Sequence, residues 1–166
     1  MNAIPSHALY PGSFDVLTNG HLDLMGRAVR IFDRVTIAVA HNPAKVTGLF
    51  TIDERLEMLR EAAADYPSVD VQHFSTLTVD FARAIGASVV IRGLRVVSDF
   101  EYELQMAMAN ESLAPEVVTV FMAPSPANSF ISSTTVREIA AFGGAVDAFV
   151  PPAVAARLYA KLKEKK

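Results

Sequence analysis

The strongest constraint on this chain is the alternation of short apolar runs with segments that have helical spacing. Between the runs, apolar residues recur every three or four positions, as in Leu22, Met25, Val29 and Phe32. That is the period of a helix with one buried face. Strands that are apolar almost throughout and separated by helices predict a parallel sheet covered on both faces. The predicted strands are HALY (7–10), VTIAVA (35–40), VDVQHF (69–74), SVVIRG (88–93) and VVTVFMA (117–123).

The sequence therefore predicts a single Rossmann-like, doubly wound α/β domain over residues 1–166. We expect five parallel strands, helices on both faces of the sheet, and a C-terminal helix from about Pro152. A length of 166 residues suffices for one sizeable core and is short for two. Two further helices are predicted from the apolar spacing over residues 52–63 and 104–113.

Short signals mark the ends of some predicted helices. Thr51 with Glu54, and Ser98 with Glu101, fit the capping box. In that motif a hydroxyl and a carboxylate satisfy two free amides at the start of a helix. The pair Gly143-Gly144 is typical of a helix end.

The composition excludes several kinds of function. The sequence contains no cysteine, which rules out disulfides, thiolate metal sites and a cysteine nucleophile. No apolar run is long enough to cross a membrane, and the first residues do not resemble a signal peptide. The net charge of −3 argues against general nucleic-acid binding, which needs a basic surface. We therefore expect a cytoplasmic protein with no nucleic-acid and no membrane partner.

Residues that could bind an anion follow the first and the fourth of the predicted strands. Ligands in such sheets collect beyond the carboxyl ends of the strands. After the first strand, Thr18 to His21 fall at the start of a helix, where free amides favour an anion. An ordinary turn with a capping residue and an incidental histidine is the alternative. After the fourth strand, Arg92 and Arg95 place guanidinium groups at the same edge, and these suit phosphate oxygens.

Other interpretations of these residues remain open. The arginines after the fourth strand could instead pair with Asp99 or Glu101, and Lys45 on its loop could simply be solvated. After the fifth strand, residues 132–135 are all hydroxyl-bearing and precede Arg137. One hydroxyl suffices for a helix cap, so four of them followed by an arginine indicate a second anion site. Together the two anion sites and the cations predict a polyphosphate site.

Five segments carry a resemblance to a known family. TNGH (18–21) and ISSTTVR (131–137) resemble the H/T-x-G-H and ISSTxxR motifs of a nucleotidyltransferase superfamily. YPGSFD (10–15), IRGLR (91–95) and DFEYE (99–103) narrow this to the phosphopantetheine adenylyltransferases. The resemblance covers nearly the full length of the chain.

The resemblance implies a reaction and its partners. ATP and 4′-phosphopantetheine would give dephospho-coenzyme A, a precursor of coenzyme A, and pyrophosphate. The pantetheine phosphate would attack the α-phosphorus in line, with no covalent intermediate. Mg²⁺ is expected on the triphosphate, held mostly by phosphate and water rather than by protein ligands. A homohexamer is also implied.

The resemblance also assigns roles to residues. His21, Lys45 and Arg92 are the expected catalytic residues, with His21 donating to the α-phosphate. Phosphopantetheine would be bound by Ser13, Lys45, Thr78 and Arg92. ATP would be bound by Ser13, Phe14, Thr18, His21, Gly93, Leu94, Arg95, Glu103, Asn128, Ser129, Phe130, Ile131, Ser132, Ser133 and Thr134.

Three positions depart from the family pattern. Val16 stands where proline is usual, Asn128 where an aromatic residue is common, and Thr78 where an apolar residue is commoner. Asp15 is interpreted as holding its turn, because the attacking phosphate is already ionised near neutral pH.

Three rival functions remain. A transferase of the same superfamily could act on another acceptor, such as nicotinamide mononucleotide. A non-catalytic nucleotide-binding module would be expected to have lost His21 or Lys45, and both are present. An RNA-binding α/β protein is disfavoured by the acidic charge balance.

His7 and His41 match no motif and are interpreted as structural or surface residues.

Overall fold

The computed structural model describes residues 6–42 and 48–164, without the side chains of Val97 and Ser98. Within these residues, strands and helices alternate. The strands are β1 (His7–Gly12), β2 (Arg34–Ala40), β3 (Val69–Phe74), β4 (Val89–Gly93) and β5 (Val118–Met122). The helices are α1 (Asn19–Ala28), α2 (Ile52–Ala62), α3 (Thr78–Ile85), α4 (Val97–Leu113), α5 (Ser133–Ala141) and α6 (Pro152–Lys163). A short 3-10 helix spans Pro126–Asn128.

The strands form one parallel sheet in the order β3-β2-β1-β4-β5, which confirms the doubly wound α/β prediction. β1 lies at the centre and pairs with β2 along its whole length. Its pairing with β4 ends at Leu9 opposite Val90, so these two strands separate toward their carboxyl ends. The direction of winding reverses between β1 and β4, and such a switch point is where ligands bind in open sheets.

Two hydrophobic cores cover the two faces of the sheet. Ala8 and Tyr10 of β1 belong to one core and Leu9 to the other, because successive side chains of a strand point to opposite faces. The larger core lies under α1, α2, α5 and α6 and includes Leu158. The smaller one lies beside α3 and the end of α4 and includes Val79.

One of the two predicted capping boxes is present. At the start of α2, Thr51 accepts a hydrogen bond from Glu54 N at 3.2 Å, and Glu54 accepts one from Thr51 N at 2.7 Å. The box predicted at Ser98 is wrong. The residue before α4 with extended backbone is Val96, so Ser98 lies inside the helix and cannot cap it.

The end of α5 follows the prediction. Gly143 adopts a φ of +81°, a left-handed conformation that favours glycine after a helix. The amide of Gly144 donates to the carbonyl of Ile139 at 2.9 Å, which satisfies a carbonyl of the last turn. These two glycines therefore end the helix as the sequence indicates.

Helix α3 was not predicted from the sequence. It has eight residues, and so short a segment shows little more than two turns of periodicity. It ends at Gly86, whose φ is +72°. The helix places Thr78 in its first turn, close to the carboxyl edge of the sheet.

Helix α4 forms as its apolar spacing predicts, but its apolar side chains are not buried. Tyr102 and Met108 are each 62% exposed, and Leu113 is 55% exposed. Phe100 and Leu104 are also exposed. An exposed apolar surface of this kind on a folded protein indicates a contact with another molecule.

Candidate functional site

A cavity of about 290 Å³ opens at the carboxyl edge of the sheet, between the ends of β1 and β4. Residues from the loop after β1, from α1, and from the loops before α4 and α5 line it together. Thirteen of the residues predicted to bind ligands lie there. They are Ser13, Phe14, Thr18, His21, Arg92, Gly93, Arg95, Glu103, Asn128, Ile131, Ser132, Ser133 and Thr134.

The separation of β1 and β4 creates the space for this cavity. Arg92 Nη1 donates to the carbonyl oxygen of Pro11 at 3.2 Å across the gap, so a side chain replaces the missing strand pairing. At Gly93 a Cβ atom would lie 2.6 Å from Leu24 Cδ1. A larger residue at this position would therefore displace the Leu24 side chain, so glycine lets α1 pack closely against the end of β4.

His21 is held in one orientation by the start of its own helix. Thr18 N donates to His21 Nδ1 at 3.0 Å, and His21 N donates to Thr18 Oγ1 at 3.4 Å. Because a backbone amide can only donate, Nδ1 must accept, and the proton of the neutral ring is therefore on Nε2. The predicted helix start thus also fixes the tautomer of a cavity residue.

The surroundings of His21 keep its imidazole neutral. Burial, and then the positive charge of Arg95, lower the pKa of His21 from 6.5 to about 4. The Phe14 ring, itself only 1% exposed, packs edge-on against the imidazole with the centroids 5.0 Å apart. Phe14 therefore supports His21 from the core, and Nε2–H of a neutral ring remains as a hydrogen-bond donor.

Arg92 forms more hydrogen bonds with other protein groups than its position at the end of a strand suggests. Its Nε and Nη2 each donate to a carboxylate oxygen of Glu103 at 2.6 Å, which is the two-point geometry of a strong ion pair. Asp99 and Glu101 are the partners that the sequence suggests for the arginines after β4, and the partner of Arg92 is instead Glu103. Arg92 and Glu103 together form part of the cavity wall.

Arg95 connects two of the predicted nucleotide-binding segments. Its Nη1 donates to the carbonyl oxygen of Ile131 at 3.1 Å. Its Nε donates to Asp99 at 3.1 Å, a pairing that the sequence analysis left open. The side chain therefore ties the start of α4 to the segment before α5.

The hydroxyl groups at the start of α5 already have protein partners. Ser132 caps the helix by accepting from Thr135 N at 3.0 Å. Ser133 donates to the carbonyl oxygen of Val16 at 2.7 Å, and Thr134 accepts from Arg137 at 3.5 Å. The first amides of a helix have no partner within the helix, so amides are donors at this end of α5, and the Thr134 hydroxyl, which only accepts from Arg137, keeps its proton for donation as well.

Asp15 holds its turn, as interpreted from the sequence, and does more than that. Its carboxylate accepts from the amides of Leu49 at 2.8 Å and Phe50 at 3.1 Å. It also pairs with Arg137 at 2.9 Å and with Arg55 at 3.4 Å. Arg137 is therefore engaged with Asp15 in this structure, rather than standing free beside the predicted anion site.

Some predicted residues lie elsewhere. Thr78 lines a neighbouring cavity of about 180 Å³ together with Arg92, Glu103 and Tyr102. The first cavity is not lined by Leu94, Ser129 or Phe130. Phe130 is 65% exposed. Lys45 lies outside the described residues.

Some cavity residues were not predicted from the sequence. Tyr10, Pro11, Leu24 and Pro124 also line the cavity. Tyr10 and Leu24 follow the apolar period of their elements, so nothing in the local pattern separates them from core residues. Pro11 and Pro124 directly follow the predicted strands 7–10 and 117–123, so the rule on strand ends could have found them.

Two structural findings concern other kinds of site. In the part of the chain that the structure describes, no three histidine, aspartate or glutamate side chains come together as a metal site. No helix among residues 6–42 and 48–164 is long and apolar enough to span a bilayer.

Comparisons with known proteins identify the family of this chain. Residues 9–139 match the cytidylyltransferase-like family. A solved structure assigned to a nicotinate-nucleotide adenylyltransferase of Vibrio parahaemolyticus shares the fold, with a TM-score of 0.71 over 98% of both chains and 14% identity. The phosphopantetheine adenylyltransferase of Methylococcus capsulatus is 56% identical over 93% of this chain and 94% of its own length. That of Alkalilimnicola ehrlichii is 55% identical over 91% and 87%. At these identities over nearly the whole length, the chain belongs to the phosphopantetheine adenylyltransferase family, within the cytidylyltransferase-like proteins.

Proposed function

We propose that this protein transfers the adenylyl group of ATP to 4′-phosphopantetheine, forming dephospho-coenzyme A, the precursor of coenzyme A, and pyrophosphate. The observation that carries the proposal is the neutral imidazole of His21 at the cavity, with Nδ1 bonded to Thr18 and Nε2–H left to donate. The family membership and the thirteen predicted residues around one cavity support it.

The reaction needs positioning and charge stabilisation rather than a nucleophilic side chain. The phosphate of phosphopantetheine attacks the α-phosphorus of ATP in line, and pyrophosphate leaves. Negative charge builds on the oxygens of the α-phosphoryl group, where a preorganised donor stabilises the transition state. His21 Nε2–H supplies that donor without a change of protonation. The amides at the start of α5 favour the leaving phosphates.

Arg92 is the proposed contact for the phosphate of phosphopantetheine. A guanidinium group has five N–H donors, and the pairing with Glu103 and Pro11 uses three of them. Arg92 also lines the neighbouring cavity that holds Thr78. Its position between the two cavities suits a residue that joins the acceptor to the nucleotide. Lys45 and Ser13 complete the proposed acceptor site.

Mg²⁺ is proposed to arrive with ATP. Glu103, the carboxylate that lines the cavity, is already paired with Arg92, and Asp15 on the loop after β1 is paired with Arg137. A Mg²⁺ ion that keeps phosphate oxygens and water as ligands needs no cage of protein carboxylates. The side chains around the cavity are compatible with an ion held in this way, which would supply positive charge to the triphosphate of ATP.

Assembly into a homohexamer is also proposed, together with a cytoplasmic location, where ATP and the acceptor are at hand. The support for assembly is the exposed apolar surface of α4, which includes Tyr102, Met108 and Leu113. Val118 on the edge strand β5 is exposed as well. Burying these side chains between copies would remove apolar area from water.

A comparison of acceptors tests the proposed function. We expect pyrophosphate release from ATP with 4′-phosphopantetheine and much less with nicotinamide mononucleotide or nicotinate mononucleotide. A continuous pyrophosphate assay with each acceptor measures this. Faster release with either mononucleotide would contradict the proposal and favour the rival transferase.

His21→Ala should lower turnover by about a hundredfold or more, the usual cost of losing one transition-state donor. ATP affinity should change much less, because the donor acts mainly on the transition state. Steady-state kinetics and equilibrium ATP binding measure the two effects. His73→Ala is the matched control, because His73 is an exposed histidine on β3 and lines none of the cavities described for residues 6–42 and 48–164. Turnover of His21→Ala near that of the control would remove His21 from the mechanism.

Arg92→Gln should weaken phosphopantetheine binding by at least about tenfold, because a charged hydrogen bond to phosphate is lost. The variant also leaves Glu103 unpaired, so the double variant Arg92→Gln, Glu103→Gln separates loss of attraction from new repulsion. Arg83→Gln is the control, since Arg83 pairs with Glu116 at an exposed site. Equal acceptor affinity in the double variant and the wild type would exclude Arg92 as the phosphate contact.

Met108→Glu should reduce the assembly, because a charge on the exposed surface of α4 cannot be buried without cost. Analytical ultracentrifugation of the wild type should give about six times the subunit mass, and the variant smaller species. Phe142→Glu is the control, because it introduces the same charge at an apolar residue that is 87% exposed but belongs to neither α4 nor β5. A wild-type protein that sediments as a monomer would overturn the proposed assembly.

A further inference from the structure

A carboxylate on α1 joins this helix to the loop after β5. Asp23 Oδ2 accepts a hydrogen bond from the backbone amide of Ser125 at 2.6 Å, and the two residues are 102 positions apart. Asp23 lies two residues after His21 on the same helix. It does not line either the first cavity or the neighbouring one with Thr78.

Ser125 passes this connection on to a cavity residue. It precedes the short 3-10 helix and accepts two hydrogen bonds from Asn128. The amide nitrogen Asn128 N donates to Ser125 O at 2.9 Å, and Asn128 Nδ2 donates to Ser125 Oγ at 3.0 Å. Asn128 lines the cavity. A Cβ atom at Gly20 would lie 3.5 Å from Asn128 O, so the loop passes close to the start of α1.

Asp23 stays charged in this position. Burial alone would raise its pKa, but the Ser125 amide and the Arg27 guanidinium together hold the pKa of Asp23 below its ordinary value. Arg27 Nε lies 3.3 Å from the carboxylate. A hydrogen bond from an amide to an ionised carboxylate is about twice as strong as one between neutral groups. The connection to Ser125 is therefore a firm one.

We propose that Asp23 is a positioning residue for ATP, and that it sets the spacing between His21 on α1 and Asn128 on the loop after β5. The inference rests on the proposed function for the identity of the nucleotide. His21 acts at the reacting phosphate, and the loop with Asn128 forms another wall of the same cavity. The carboxylate of Asp23 holds these two walls at one separation.

Other residues anchor α1, so a positioning role of Asp23 can be distinguished from a contribution to the overall stability of the fold. Helix α1 is already anchored to the core by Leu24 and Met25, which are 4% and 2% exposed. Losing the carboxylate therefore leaves the helix in place and frees the loop. The effect should appear in nucleotide binding and in turnover, because ATP contacts both walls and a displacement of about 1 Å in a site lowers the rate strongly. The acceptor site, with Arg92 and Thr78, lies on other elements.

The test compares Asp23→Ala with Asp23→Asn, whose amide oxygen can still accept from Ser125 N. We expect Asp23→Ala to weaken ATP binding and raise the KM for ATP by about tenfold or more, with kcat reduced. The KM for phosphopantetheine should stay within about twofold. Asp23→Asn should recover most of the ATP affinity. Equilibrium ATP binding is measured directly, alongside the kinetics and thermal unfolding.

Two control variants separate positioning from stability. Asp33→Ala removes another carboxylate that accepts a backbone amide, from Ser6 at 2.7 Å, at the opposite end of the sheet. Arg27→Ala removes the second partner of Asp23 and leaves the Ser125 bond. Both controls should retain normal ATP affinity.

Specific outcomes would overturn the inference. It fails if Asp23→Ala binds ATP as the wild type does, or if the KM values for ATP and phosphopantetheine rise equally. It also fails if Asp33→Ala reproduces the loss, or if Asp23→Asn recovers none of it while remaining folded. A wild-type protein that binds ATP but transfers nothing to phosphopantetheine would instead refute the proposed function. The direct binding comparison would then still decide the role of Asp23.

Discussion

The arrangement of the cavity depends above all on the buried carboxylate of Asp15. It is 4% exposed and satisfied by two backbone amides and two arginines. A buried charge without such partners would be strongly destabilising. The partners come from the segment before α2, from α2 and from α5. The loop after β1 is therefore fixed against three other parts of the chain, and the start of α1 follows from where this loop ends.

Two walls of the cavity, α1 and β4, carry different kinds of hydrogen-bond donor. On α1, His21 is neutral and oriented, and its donor is available without a proton shift. On β4, Arg92 is charged but neutralised by Glu103. A neutral donor suits charge that develops during reaction, whereas a paired cation suits a substrate that arrives already charged. Residues at the starts of α1 and α5 line the same cavity, so local helix geometry and long-range ion pairs together shape one space.

Much of the fold and of the site could be predicted from the sequence, and the predictions that were wrong or missing have physical causes. Each predicted strand was found because nearly continuous apolar runs are the pattern of buried parallel strands. Helix α3 was missed because eight residues carry little periodicity. The cap at Ser98 was wrong because the chain becomes helical from Val97. The pairing of Arg92 with Glu103 could not be found, because α4 brings several carboxylates near the strand end and only its orientation selects one.

The sequence by itself determined where the strands and most of the helices lie along the chain, the residues that follow each strand, and the Thr18–His21 helix start. All of these depend on neighbours within a few positions, which local patterns record. Only the tertiary structure decided which loops meet and which charges neutralise each other. Asp15 meets Arg137 across 122 positions, and Asp23 meets Ser125 across 102. Such pairs depend on the strand order and on the packing of helices against the sheet, which are long-range properties that local patterns do not contain.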